Sequence, residues 1–289
     1  MVKRPLGPTA LALLVALAFW PGRMKAADAT CADCHEQEKT FSANPHGRAK
    51  CDVPGDAACA SCHGDGKKHM EEGGDKQYIR GLHGRAGANV CLTCHDVTTE
   101  HESFRDGAHG ATETVNCLSC HSIHSPAPKA AHLLAKTDPT LCASCHQGQA
   151  ASLRDKPYKH HLDRGGLGCV SCHDPHGRKG EGMLKLGRGG DGPCVTCHTE
   201  KRGPFVFEHV GPTVGGCLSC HTPHGSPNPK QLIRSNVNQL CLECHSQLGG
   251  SFLGSRPPAT HNQNLARWRN CTTCHTAVHG SNQSQQLLK

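Results

Sequence analysis

The sequence predicts a chain of short helices and loops with little regular secondary structure, organised around repeated cysteine pairs in place of an apolar core. Three observations predict it. Of the 21 cysteines, 20 fall into C-x-x-C pairs spread along the chain. Aromatic residues are only 3 % of the total. Thirty-three Gly and 18 Pro punctuate any helix or strand that would otherwise grow long. A chain so poor in large apolar side chains cannot offset its own ordering entropy, so the cysteine pairs must hold something that supplies hydrophobic surface.

The ten pairs are Cys31 with Cys34, Cys59 with Cys62, Cys91 with Cys94, Cys117 with Cys120, Cys142 with Cys145, Cys169 with Cys172, Cys194 with Cys197, Cys217 with Cys220, Cys241 with Cys244 and Cys271 with Cys274. Each is followed at once by a histidine: His35, His63, His95, His121, His146, His173, His198, His221, His245 and His275. With 24 histidines in 289 residues, chance would do this with odds of roughly 10⁻¹¹, and C-x-x-C-H is the attachment motif of c-type haem. Two thiols three apart reach the two porphyrin vinyl groups, and the adjacent imidazole lies under the iron as proximal ligand. A disulfide scaffold gives no reason for the histidines. Zinc sites need a second pair of ligands per metal at finger or ribbon spacing. The fold class is therefore a multihaem cytochrome c, short helices and loops wrapped around an elongated chain of ten covalent haems. By the logic of metal-dependent small domains, the chain without haem is expected to be largely unfolded.

Residues 1–29 read as a secretory signal peptide, with residues 30–289 as the decahaem domain. Lys3 and Arg4 precede an apolar stretch from Leu6 to Trp20, and Ala27-Asp28-Ala29 offers small residues for cleavage before Cys31. The uninterrupted apolar run, Ala10 to Trp20, is about half of the ~20 residues that a span requires. No second apolar stretch follows, so a soluble periplasmic protein without its own anchor is expected. The formal charge of +7 falls to +4 once residues 1–29 leave with Lys3, Arg4, Arg23, Lys25 and Asp28. Each haem adds two propionates, so the assembled protein is negative, and a basic-patch case for nucleic acid collapses.

The motifs recur every 23 to 32 residues, the mark of a repeat array, with no domain boundary evident between them. Even-numbered motifs carry a histidine upstream and another close downstream, which suggests a two-haem unit of about 50 residues repeated five times. Short helices are expected over Pro139 to His146 and Gln239 to His245, and a turn or two over Lys129 to Lys136. The flanking histidines supply the second axial ligands: His46 and His69, His109 and His124, His161 (or His160) and His176, His209 and His224, His261 and His279. His83, His101, His132 and the other of His160 and His161 are left over as surface or propionate-contacting residues. His83 is the rival to watch, since it lies eight residues before Cys91, the spacing of His109 and His209 from their motifs. Of the methionines only Met70 and Met183 follow the leader, so axial methionine, which raises potential, cannot be general. Cys51 is the odd thiol, with no partner left in the chain.

Several stretches resemble the periplasmic decahaem cytochromes of the MtrA/DmsE type: CHGDGKKH from Cys62 to His69, CHDPHG from Cys172 to Gly177, and CHTPHGS from Cys220 to Ser226. Glu200 to Phe205 and the terminal CHTAVHGSN ending at Asn282 add to the likeness, while Cys51 departs from it. The resemblance implies an electron carrier, not an enzyme. Such a carrier sits inside an outer-membrane β-barrel porin and passes electrons between periplasmic or inner-membrane cytochromes and a surface redox partner. A ten-haem row exceeds the ~40–45 Å of a bilayer with its headgroups. The rivals are a periplasmic carrier without a porin, a multihaem reductase, and an extracellular polymerising cytochrome. A reductase needs an open iron position, and the histidines here suffice to close all ten.

Overall fold

The computed structural model describes residues 30–48, 56–95, 101, 103–126, 131–164, 166–177, 181–185, 192–209, 216–245, 261 and 265–288. The expected signal peptide and Cys51 lie outside them. The chain divides into two compact units, one ending at Gly81 and one beginning at Leu82. The sequence carries no signal for this division. Backbone anchoring marks it instead: the Leu82 and Gly84 carbonyls accept from Asn116 Nδ2 at 3.1 and 3.2 Å, tying this stretch to the second unit.

Every motif is built on one helical turn, but the kind of turn alternates. Odd motifs lie on α-helix, at Cys31–Cys34, Gly84–His95, Thr140–Ala143, Cys194–Cys197 and Val237–His245. Even motifs from the fourth onward lie on 3-10 turns, Cys117–Ser119, Cys169–Ser171, Gly216–Ser219 and Cys271–Thr273. The second motif, on the α-helix Asp56–His63, breaks the alternation. What precedes each motif decides the form. Helix-compatible residues lead into Cys91 and Cys241, whereas Asn116, Gly168 and Asn270 stand directly before even motifs as N-caps in extended backbone.

Whichever form it takes, the turn closes the same way. The histidine N–H donates to the first cysteine's carbonyl, at 3.0 Å for His35, 2.8 Å for His121 and 2.9 Å for His146, His198, His221 and His275. This α-type bond puts both thiols and the imidazole on one side of the turn.

The helices expected around residues 139–146 and 239–245 are present, the first trimmed to one turn with Pro139 as its cap. The turn expected over Lys129 to Lys136 is different. Its described part is a single 3-10 turn, Ala131–Leu133, with His132 and Leu133 at φ 55° and 56°. The segment folds back on its motif, Ser122 N–H donating to Leu133 O (2.7 Å) and Ala135 N–H to Cys120 O (2.8 Å). A continuing helix would have used those groups internally.

Among the described residues there is no strand, only isolated bridges, and these recur in register. His121, His173 and His221 each bridge to a leucine downstream, Leu134, Leu184 and Leu232. Tyr158 bridges Ser226, and Phe207 bridges Ser281. The described apolar residues that are buried are few, Ala88, Leu92 and Phe104, and buried polar ones include Ser226 and Ser281. The polypeptide packs around sites, not around a core. No described helix is long and apolar enough to cross a membrane.

Candidate metal centres

The ten motifs present their cysteines as free thiols among the described residues, the form that thioether bonding requires. The second cysteines Cys34, Cys62, Cys94 and Cys145 are exposed. Three of them follow a hydroxyl residue that turns back into the helix: Ser61 donates to Ala58 O, Thr93 to Val90 O and Ser144 to Leu141 O, at 2.7, 2.7 and 2.6 Å. The same hydroxyls lie 3.8 Å from Cys62 Sγ, 4.0 Å from Cys94 Sγ and 4.0 Å from Cys145 Sγ. That back-bonding occupies the hydroxyl proton, and Cys62, Cys94 and Cys145 stay exposed.

The imidazoles show what they face. His35 lies opposite His69 with ring centroids 6.2 Å apart. The same relation joins His121 to His176 at 6.1 Å, His173 to His224 at 5.9 Å and His221 to His279 at 6.3 Å. It also joins His146 to His109 (6.1 Å), His198 to His160 (6.3 Å), His245 to His209 (6.2 Å) and His275 to His261 (6.2 Å).

Each of these pairs is one motif histidine and one flanking histidine. A metal–imidazole bond is about 2 Å and a ring centre lies about 1 Å behind its nitrogen, so two imidazoles on opposite sides of one metal place their centroids about 6 Å apart. The residues present fit a bis-histidine iron.

The partners follow a register across repeats. The downstream histidine of one even motif faces the imidazole of the even motif before it, as His176 does His121, His224 does His173 and His279 does His221. The upstream histidine faces the odd motif that comes next, as His109 does His146, His160 does His198 and His209 does His245. His261, upstream of the tenth motif, turns to its own motif and His275.

Backbone carbonyls orient the rings. The imidazoles of even motifs use Nδ1 on the folded-back loop: His121 on His132 O (2.7 Å), His173 on Gly182 O (2.6 Å), His221 on Lys230 O (2.8 Å) and His275 on Gln286 O (2.6 Å). The upstream flanking histidines use Nδ1 on the residue just before a downstream one, His109 on Pro175 O and His160 on Pro223 O, both 3.1 Å, and His209 on Val278. His69 Nδ1 reaches Asp75 O at 3.0 Å. An acceptor at Nδ1 sets the tautomer with Nε2 bare for metal and fixes the ring plane. Burial, foremost, holds His209, His224 and His279 below the ordinary histidine pKa, with His245, His173 and Lys201 the next causes in turn. The neutral imidazole that binds iron is thereby favoured.

Of the two alternatives left open, His160 and not His161 faces His198, although the spacing of His161 matches that of His109 and His209. A bridge decides the phase. Tyr158 and Ser226 pair as Phe207 and Ser281 do, so the ligand falls two residues after the aromatic in both, at His160 and His209. The aromatic-x-His pattern was the sequence signal that would have chosen His160.

Of the leftover histidines, His132 contributes its carbonyl. His101 lies 5.5 Å from His95 and 4.6 Å from His176 by ring centroids. His46, His63, His95 and His124 are engaged in contacts as well.

The thiols carry a second order. The first cysteines of consecutive odd and even motifs lie side by side, Cys91 with Cys117, Cys142 with Cys169, Cys194 with Cys217 and Cys241 with Cys271. The second cysteine of an even motif lies instead within the field of the next odd motif: Cys120 near Cys142 and Cys145, Cys172 near Cys197, and Cys220 near Cys244. Consecutive motifs are thus spatial neighbours from Cys91 to Cys274.

The doubled CXXCH motif family matches residues 109–151, 160–203 and 209–250. Each match opens on an upstream histidine and takes in an even motif and the odd motif after it. Its first histidine is the one that faces its last motif. A curated relative, the multihaem cytochrome MtrA of Shewanella baltica (strain OS185), is 33 % identical over 244 residues, covering 80 % of this chain and 70 % of that protein.

Proposed function

The chain belongs to the MtrA type of multihaem c-type cytochrome, an electron-transfer protein with covalent haem, and we propose that it conducts electrons along ten haems between periplasm and cell exterior. Each C-x-x-C-H turn holds one haem through its two cysteines and its histidine. The distal ligands are His69, His109, His160, His176, His209, His224, His261 and His279, with His46 and His124 completing the ten. A haem iron supplies a one-electron ferric–ferrous couple. What the chain adds is position: imidazole on both faces favours low potentials, and the Nδ1 carbonyls keep each ring from rotating as charge changes.

The observation that carries this reading is the unbroken succession of neighbouring cysteines from the third motif to the tenth. First cysteines meet within one pair of motifs and second cysteines reach toward the next, so each haem edge would adjoin the haem before and the haem after. A relay of this kind serves distance. Charged propionates cannot lie in hydrocarbon, so a route across an outer membrane requires a sheath, and an outer-membrane β-barrel porin with a surface redox partner supplies it. A leader ending at residue 29 would deliver the chain to the periplasm.

Co-purification with a candidate barrel, followed by reconstitution into liposomes, tests the conduit. Reduction of an external acceptor by an enclosed donor, dependent on both proteins, is expected. If the haem protein binds no barrel yet exchanges electrons in solution, it is a periplasmic carrier. Substantial high-spin iron would instead mark an open site and a reductase.

A further inference from the structure

We propose that Asp138 is a potential-setting residue that lowers the midpoints of the two haems attached at Cys142 and Cys169. The inference rests on the reading of those cysteines as haem thioethers. Asp138 stands four residues before Cys142, yet its carboxylate serves the next motif. It accepts from Cys169 N–H at 3.1 Å and from Val170 N–H at 3.4 Å, and Cys142 Sγ lies 3.8 Å from the same carboxylate. The carboxylate oxygen and the two sulfurs all fall within 4.8 Å of one another. As a metal site this trio fails, because both sulfurs would be taken by haem; as a charge, the carboxylate would lie beside the attachment points of two haems at once.

The neighbouring junction shows what is unusual here. At Cys117 the N–H of the following residue, Leu118, is capped at 2.9 Å by the neutral side-chain oxygen of Asn116, the residue before the motif. The equivalent N–H at the next even motif is that of Val170, and the residue before that motif is Gly168. A Cβ on Gly168 would lie 2.0 Å from Asp138 Oδ2, so the glycine is what admits the carboxylate. Gly168 has φ −129°, which any residue adopts, so close approach and not backbone freedom is the demand. A neutral cap has thus been exchanged for an anionic one at an otherwise similar turn. A fixed negative charge beside a haem stabilises the ferric state and lowers potential, and local charge is among the protein's levers on haem. The relay then has a low-potential step where the fifth and sixth haems meet.

Two variants test the charge apart from the cap. Asp138→Asn removes the charge and keeps one side-chain oxygen, enough for the shorter bond from Cys169 N–H. The double variant Asp138→Ala, Gly168→Asn rebuilds the arrangement seen at Asn116. Haem content by pyridine haemochrome and a spectroelectrochemical titration are read for each. We expect ten haems in both variants and a low-potential end of the titration curve moved upward by two haem equivalents, the rest overlaying wild type. Titrations that superimpose on wild type would leave Asp138 a cap alone and overturn the inference. A wild-type protein with fewer than ten haems, lacking one at Cys142 or Cys169, would overturn the reading beneath it. If Asp138→Asn assembles poorly, the double variant decides: two midpoints raised at ten haems uphold the charge role, and wild-type midpoints overturn it.

Discussion

Tyr158 and Ser226 exchange two backbone hydrogen bonds, Tyr158 N to Ser226 O at 3.2 Å and the reverse at 2.8 Å. His160 follows the first residue by two, and His224 precedes the second by two. The bridge therefore places two flanking imidazoles that face different motif histidines, His198 and His173. Phe207 and Ser281 do the same for His209 and His279, at 2.8 and 2.9 Å. These facing rings come from different repeats, so the sites there and the packing between those repeats are one structure.

His224→Met should convert the haem at Cys169 and Cys172 to His/Met ligation and raise its potential, with haem stoichiometry unchanged. A redox titration with visible spectroscopy reads both. His132→Asn should leave the potentials alone, since His132 offers His121 only its carbonyl and asparagine tolerates the positive φ there.

His160→Ala should leave the haem at Cys194 and Cys197 five-coordinate and high-spin, whereas His161→Ala should keep all haems low-spin. Electron paramagnetic resonance distinguishes the two. The reverse outcome would return the ligand to the histidine eight residues before Cys169.

Gly280→Ala should destabilise the C-terminal repeat. Gly280 has φ +135°, and a Cβ there would lie 2.1 Å from Phe205 Cδ2. Strain of this kind costs about 2 kcal/mol, or a fall of about 4–8 °C in Tm. Thermal loss of the low-spin spectrum measures it, with His279 as the ligand first affected because it is the adjacent residue in the chain.

Ser226→Ala removes a buried hydroxyl that donates to Leu232 O at 2.6 Å and accepts from Asn228 N–H at 2.9 Å. Loss of both should cost about 1–3 kcal/mol, seen as a lower denaturation midpoint. The haem count should stay at wild type.

Chain produced without haem attachment should be unfolded by far-UV circular dichroism, because the described core of Ala88, Leu92 and Phe104 is far too small to hold it. A cooperative melt of the apo chain would contradict this.

The sequence by itself determined the cofactor, its covalent attachment and which imidazole adjoins each cysteine pair, because each motif is local: two thiols and an imidazole within one turn closed by one hydrogen bond. It also confined the distal ligands to a short roster, through the scarcity of methionine and the flanking histidines. Only the tertiary structure decided which ring faces which. A distal histidine lies tens of residues from its partner, as His224 does from His173, and its side is set by bridges such as Tyr158–Ser226 that leave a mark of one aromatic residue. Spacing pointed to His161; the bridge phase chose His160. Asp138 was equally illegible, since its carboxylate acts on Cys169 across the repeat and depends on the missing side chain of Gly168. Local chemistry is written in adjacent letters, whereas contacts between repeats arise only when the chain returns on itself.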